Sequence, residues 1–143
     1  MKETYTQMLN RFEKEVDALD LMFAFGNDQF KEVMEQHGWT VEKHPDLYSI
    51  GVGGGFATKE TAKAFNQTVK RQQAELNEAM KDDDFAISAF KYEAGNHEYE
   101  INDYGDEETL GALGLKVDDL NKDPRLRKLY KQALSEYAQE ALV

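Results

Sequence analysis

PRLRKLYKQALSEYAQEA, residues 124–141, is the stretch whose reading decides the fold. Leu126, Leu129, Tyr130, Ala133, Leu134, Tyr137 and Ala141 recur at three- and four-residue steps, so they line one face of a helix. Asp123 and Pro124 form an N-cap and first-position pair in front of it, because proline loses nothing where the helix has no partner for its N–H. A helix with one apolar stripe must bury it against other elements. Two further stripes answer that need. Tyr5, Met8, Leu9, Phe12, Val16 and Leu19 predict a helix over 3–19, and Ala62, Phe65, Val69, Leu76 and Met80 predict the longest one over 59–81, capped by Thr58. Helices packed on a common core then require Phe12, Phe65, Phe90, Leu134 and Tyr137 to be mostly buried.

Between these long helices the chain is more varied. Leu21-Met22-Phe23-Ala24-Phe25 is short, continuous and aromatic, which predicts a buried strand. Asn27 is placed to cap a helix over 28–37, with Phe30, Val33 and Met34 inward and Gly38 as its stop. Trp39–Lys43 and Leu47–Val52 are two weaker strands around a His44-Pro45-Asp46 turn. Asp82-Asp83-Asp84 ends the long helix and starts another over 85–100, with Ala86, Phe90, Ala94 and His97 on one face. Asp106 is expected to cap a short helix at 107–112 that stops near Gly114. The result is an α+β fold, mainly helical, with five or six helices and a small antiparallel sheet of two or three strands. It forms one domain spanning residues 1–143, as expected for a chain of this length.

The composition narrows the function. There is no Cys, which removes disulfides, thiolate metal sites and a Cys nucleophile and fits a reducing cytoplasm. The opening residues have no apolar secretion core, and no apolar run reaches the length of a membrane span. The acid is unevenly placed. From Asp82 to Glu108 there are ten Asp/Glu and one Lys, which is −9 of the chain's −11. Such a surface repels nucleic acid and anionic membranes and attracts cations or basic protein grooves. The basic residues Lys116, Lys122, Arg125, Arg127, Lys128 and Lys131 are interleaved with Asp118, Asp119 and Asp123 and are read as the solvent face of the last helix, able to pair with the acidic window.

Two constellations bear on chemistry. Gly51-Val52-Gly53-Gly54-Gly55 follows a strand and precedes a helix, the setting of a phosphate-cradling loop. It lacks both G-x-G-x-x-G spacing and the Gly-Lys-Ser/Thr ending, and a tight turn also explains it. Glu93 and His97, four apart, share a helix face. With Glu98 they are candidate metal ligands, or a general base and its orienter; a Glu–His hydrogen bond locking the helix into the core is the competing reading. No catalytic residue and no cofactor is assigned. The binding surface is placed at Asp82, Asp83, Asp84, Asp103, Asp106, Glu107 and Glu108, with Tyr99 and Tyr104 as its aromatic anchors; a solvated face that keeps an acidic protein soluble is the competing reading, and charge runs more often serve that end.

Phe23-Ala24-Phe25, Gln29-Phe30, Gly53-Gly54-Gly55-Phe56, Glu93, Asn96-His97-Glu98-Tyr99 and Leu113-Gly114-Leu115 together resemble a family of small uncharacterised proteins. Its members are carried by phages, plasmids and genomes of Gram-positive bacteria. The resemblance spans residues 21–130, leaves the first helix outside, and rests most on NHEY and LGALGL. It implies a mobile-element accessory protein and carries no activity across. Gly95 interrupts the helix expected at 85–100 and unsettles the placement of His97. The leading reading is a small, acidic, non-enzymatic interaction protein. Its partner presents a basic surface, as a nucleic-acid-processing enzyme does, so the chain would act as a nucleic-acid mimic or anti-defence inhibitor. The alternative is a small metal- or nucleotide-dependent enzyme using Glu93, His97 and the Gly53–Gly55 loop; a further alternative is a housekeeping oligomer. The sequence leaves the oligomeric state open.

Overall fold

A computed structural model describes residues 2–51 and 53–141. Val52, expected to end the second short strand and to sit inside the glycine run, lies outside the described residues. The element order is α1 (Tyr5–Asp17), β1 (Met22–Phe23), α2 (Asn27–Gln36), β2 (Leu47–Ser49), β3 (Gly55–Thr58), α3 (Lys59–Ala79), α4 (Asp83–Asn96), a 3-10 turn (Tyr99–Ile101), α5 (Gly105–Gly111), α6 (Val117–Lys122) and α7 (Pro124–Ala141). The fold is α+β and predominantly helical. Among the described residues there are seven α-helices. The one beyond the expected six is α6, whose six residues are too few to show a period. The chain divides into two compact units, residues 10–72 and residues 1–9 with 73–143, and the divisions fall inside α1 and α3.

In the 10–72 unit the sheet is antiparallel with order β1-β3-β2. Met22 pairs with Phe56 and Phe23 with Gly55, while Leu47, Tyr48 and Ser49 pair with Thr58, Ala57 and Phe56. Two of its three strands lie within expected segments, 21–25 and 47–52, and the third does not. The 21–25 run contributes only two residues, with Met22 buried, Phe23 exposed and Phe25 exposed. Trp39–Lys43 is a turn closed by Thr40–Lys43 backbone bonds rather than a strand. The central strand is Gly55–Thr58, which the sequence presents as a helix entrance. This overturns the setting assumed for the glycine run: it is the tip of the β2–β3 hairpin, and a four-residue strand separates it from α3. Gly54 there has φ +74, and a Cβ would stand 2.9 Å from the Ala24 carbonyl oxygen, so only glycine fits.

The cap of α2 also differs. Asn27 is the first helical residue, Gly26 is the N-cap without a side-chain bond, and the Phe25 N–H is taken by Gln29 Oε1 at 2.7 Å. Met34 of α2 is fully buried. On α3 the expected core residue Val69 is exposed; the buried position near it belongs to Gln72. Its amide donates to the Phe12 carbonyl at 3.1 Å and to Glu15 at 3.0 Å. That amide, followed by the Arg71 guanidinium, holds the Glu15 carboxyl below the usual range.

His37 closes α2. Its Nδ1 lies 2.8 Å from the Val33 carbonyl oxygen and its Nε2 3.2 Å from Asp20 Oδ1. A protonated ring donates to both, so the carbonyl and then the carboxylate raise its pKa above 6.5. A folded pKa above the unfolded one stabilises the fold fully below about 6.5, and that contribution is lost as pH rises through the folded value. The urea midpoint of the parent is therefore expected to fall across this window, and that of His37→Gln to change less. Superimposable pH profiles would contradict the assignment.

The other unit is built on α4 against α7. Ala86, Ala89, Phe90, Glu93 and Ala94 form the buried face of α4 at i, i+3, i+4, i+7 and i+8. Its alanines let Ala133, Leu129 and Tyr130 of α7 approach closely, and the Phe90 and Tyr130 rings meet edge to face at 5.1 Å. Leu110, Leu113 and Leu120 complete this core. Of the five residues expected to be mostly buried, Phe90 is fully so; Phe12, Phe65, Leu134 and Tyr137 are half-buried. Asp123 caps α7 as expected, accepting from the Leu126 N–H at 3.1 Å. Gly95 does not break α4, which runs on to Asn96, and a Cβ at Gly95 would make only ordinary contact with Tyr137.

Candidate functional site

Helix α4 carries the acidic window at its two ends. Its 14 residues set the ends about 20 Å apart at 1.5 Å per residue, so the window forms two clusters. At the N-terminal end Asp82 is the N-cap, accepting from the Phe85 N–H at 3.0 Å, and it also holds Lys2 at 2.5 Å. The Lys2 ammonium, and then the Phe85 N–H, keep its carboxyl below the usual range. Asp83 pairs with Arg125 at 2.7 Å, and Arg125 also donates to the Met80 and Lys81 carbonyls just past α3. The expected pairing between the basic stretch and the acidic window thus forms within the chain.

At the other end α4 stops at Asn96, short of the expected 100. His97 is its C-cap, and Glu98 turns the chain with φ 50, the left-handed region. Glu93 is buried, 4% exposed, and accepts a 3.1 Å bond from the Tyr5 hydroxyl. The Glu93–His97 separation is 3.7 Å, beyond hydrogen-bond reach, and His97 Nδ1 lies 3.5 Å from Glu108. The imidazole therefore stands between two carboxylates on opposite sides. Neither contact is a hydrogen bond, so the Glu–His hydrogen bond offered as the competing reading does not form. No group of three or more His, Asp or Glu among the described residues is placed to hold a metal ion. Asn102 adds to the joint, donating to the His97 carbonyl at 3.0 Å and to Glu108 at 2.8 Å.

Tyrosines hold two of the remaining acids at this end, Asp106 and Glu100. The Tyr130 hydroxyl donates to Asp106 at 2.5 Å, and Tyr99 shares the same carboxylate. Burial first and Asp106 second push the Tyr130 phenol up. This bond displaces the expected cap: α5 begins at Gly105, and Asn102 Oδ1 takes the Tyr104 N–H at 2.9 Å. Tyr137 donates to Glu100, whose carboxyl is held low by that hydroxyl. The Tyr99 ring packs on Gly105, where a Cβ would come within 2.7 Å of it.

Asp84, Glu98, Asp103 and Glu107 are exposed, and their side chains make no hydrogen bond or ion pair among the described residues. Beside Asp103, Tyr104 is 68% exposed and Ile101 is 76% exposed. Of the two tyrosines proposed as anchors, Tyr104 is free to contact a partner, while Tyr99 is spent on Gly105 and Asp106. Ile101 escapes a sequence reading; its only signal is an isolated apolar residue inside a polar run, off any helical stripe.

Tyr5→Phe removes the donor and leaves a buried Glu93 oxygen unsatisfied. The expected cost is about 1–3 kcal/mol by urea unfolding, the usual penalty for such an orphan. Unchanged stability would mean that Glu93 does not depend on Tyr5.

No helix of the described residues is long and apolar enough to cross a membrane. No curated protein and no solved structure matches the chain. A family match does exist, and it extends beyond the 21–130 span of the motif resemblance to take in α1, so it covers both Tyr5 and Glu93. Across residues 4–136 the chain matches the family of unknown function DUF7659, and it belongs to that family.

Proposed function

We propose that this chain is a non-enzymatic interaction protein whose surface around the 3-10 turn and α5 docks on a basic face of another protein. The observation that carries the reading is the exposure of Ile101 and Tyr104 beside Asp103 and Glu107, which form no ion pair among the described residues. An aromatic and an aliphatic anchor with an acidic rim is the arrangement by which a charged partner is both steered and held. The rest of the segment is pinned by Asn102, Tyr130 and Tyr137, so these two side chains are presented from a fixed backbone. A basic groove of the kind that nucleic-acid-processing enzymes present is the complementary surface, and an inhibitor accessory to a mobile element is the role this chemistry suits.

The test is retention of lysate proteins on the immobilised chain at low and at high salt. Steered association between exposed charges is screened within about 8 Å at physiological ionic strength, so retention is expected to fall sharply with salt. The retained proteins are expected to be basic. Retention that ignores salt would contradict the proposal.

A further inference from the structure

A cleft of about 750 Å³ lies in the 10–72 unit, between the start of α2, the loop before β2 and the tip of the β2–β3 hairpin. Three aromatic rings line it: Phe30 of α2, His44 of the loop and Phe56 of the central strand. The Phe30 and His44 rings stand 5.8 Å apart at 84°, and the Phe30 and Phe56 rings 5.7 Å apart at 44°. Phe30 and Phe56 are half-buried and His44 is exposed, so this corner of rings keeps surface open to solvent. His44 Nδ1 lies 2.7 Å from the Pro45 carbonyl oxygen, which fixes the plane of its ring. Asp46, in the same loop, is the one carboxylate among the described residues of the lining, and no Lys or Arg stands there with it. It is exposed and makes no hydrogen bond or ion pair among the described residues.

We propose that this cleft binds a trimethylammonium group such as that of choline. Aromatic rings carry negative faces, which attract a cation within about 6 Å of the ring centre. Two rings at right angles make a corner in which a rounded cation meets both, whereas a planar guanidinium stacks on one alone. A primary ammonium would give up hydrogen bonds to water that rings replace poorly, and a trimethylated one has no N–H to lose. Asp46 completes the site with a charge that nothing among the described residues has claimed. The positive end of α2 also meets the cleft, at Gly26 and Asn27, and Asp28 in the first helical turn offsets it. A free small molecule or a lipid headgroup can supply the group, and the rings and the carboxylate recognise the cation that both share. None of these residues belongs to the surface around the 3-10 turn and α5, so the inference stands apart from the proposed function.

The experiment is an amide-resolved NMR titration of the full chain with choline, with dimethylbutanol, its uncharged analogue carrying carbon in place of nitrogen, and with methylguanidinium. Saturable shifts at Phe30, His44, Asp46 and Phe56 are expected with choline, and binding roughly tenfold weaker with dimethylbutanol. Asp46→Asn and His44→Ala, both at exposed positions of the loop, are each expected to weaken choline roughly threefold. Ile101→Ser with Tyr104→Ser should bind choline as the parent does, which separates this site from the other surface. Co-sedimentation with phosphatidylcholine vesicles would assign the group to a lipid headgroup, and saturable choline binding without co-sedimentation would assign it to a free small molecule. Absence of saturable shifts, equal binding of choline and dimethylbutanol, tighter binding of methylguanidinium than of choline, or indifference to both loop variants would each overturn the proposal.

Discussion

Replacing Phe90 with Ala is expected to destabilise the protein by about 3–5 kcal/mol, the range for deleting a buried aromatic side chain. Phe90 is fully buried at the centre of the α4 face, between Ala86 and Ala94, and its ring meets Tyr130 edge to face. The neighbouring alanines cannot extend to fill the space. The substitution also loosens Tyr130, whose hydroxyl holds Asp106 at the start of α5. One truncation therefore acts on the core and on the backbone that presents Tyr104. Urea unfolding measures the loss directly; a change below about 1 kcal/mol would mean that the α4–α7 contact collapses around the gap or contributes far less than its burial implies.

The helices were readable because their evidence is local. The stripe over 124–141 needs only residues three and four apart, and α7 occupies that range, although Ala141 at its end is exposed. The start of a helix after Asp82-Asp83-Asp84 and Asp123 as the cap of α7 were likewise readable from neighbours. The sheet was readable only in part, its outer strands at 21–25 and 47–52 but not its central one, because strand pairing is non-local. Gly55-Phe56-Ala57-Thr58 looks like a loop running into a helix cap, and only its pairing with Met22–Phe23 on one side and Leu47–Ser49 on the other makes it the central strand. The same limit governs the acidic surface. Charge counting located the window, but it could not tell which acids are already used. Glu93 is taken by Tyr5, 88 residues away, Asp106 by Tyr130, and Asp83 by Arg125. What remains unpaired at the α5 end, Glu98, Asp103 and Glu107 near Ile101 and Tyr104, is defined by what the fold leaves over.

Ile101→Ser combined with Tyr104→Ser is expected to leave the fold intact and to weaken partner binding at least about thirtyfold. Both side chains are mostly in solvent, so their removal costs little folding energy. In a complex they would be the apolar centre, where truncations typically cost about 2 kcal/mol or more. Charges at a rim act differently, mainly on the rate of encounter and on its salt dependence. The double serine variant should therefore speed dissociation while leaving the salt dependence of association as it is. Equal dissociation rates for parent and variant would remove Ile101 and Tyr104 from the interface.

The free acids at the α5 end of α4 are expected to face a partner rather than water alone. Neutralising Asp106 or Glu108 would confuse that test, since these carboxylates hold Tyr130 and Asn102. Glu98→Gln, Asp103→Asn and Glu107→Gln leave those bonds in place, and as exposed charges they contribute little to stability. The decisive measurement is a side-by-side recovery of lysate proteins by the parent and this triple variant at low salt. If each lost pair is worth about 0.5–1 kcal/mol, binding should fall by an order of magnitude or more, and the basic proteins held by the parent should be missing from the variant. Recovery of the same proteins in the same amounts by both would rule out docking through these acids and leave the acidic face as a solvated surface.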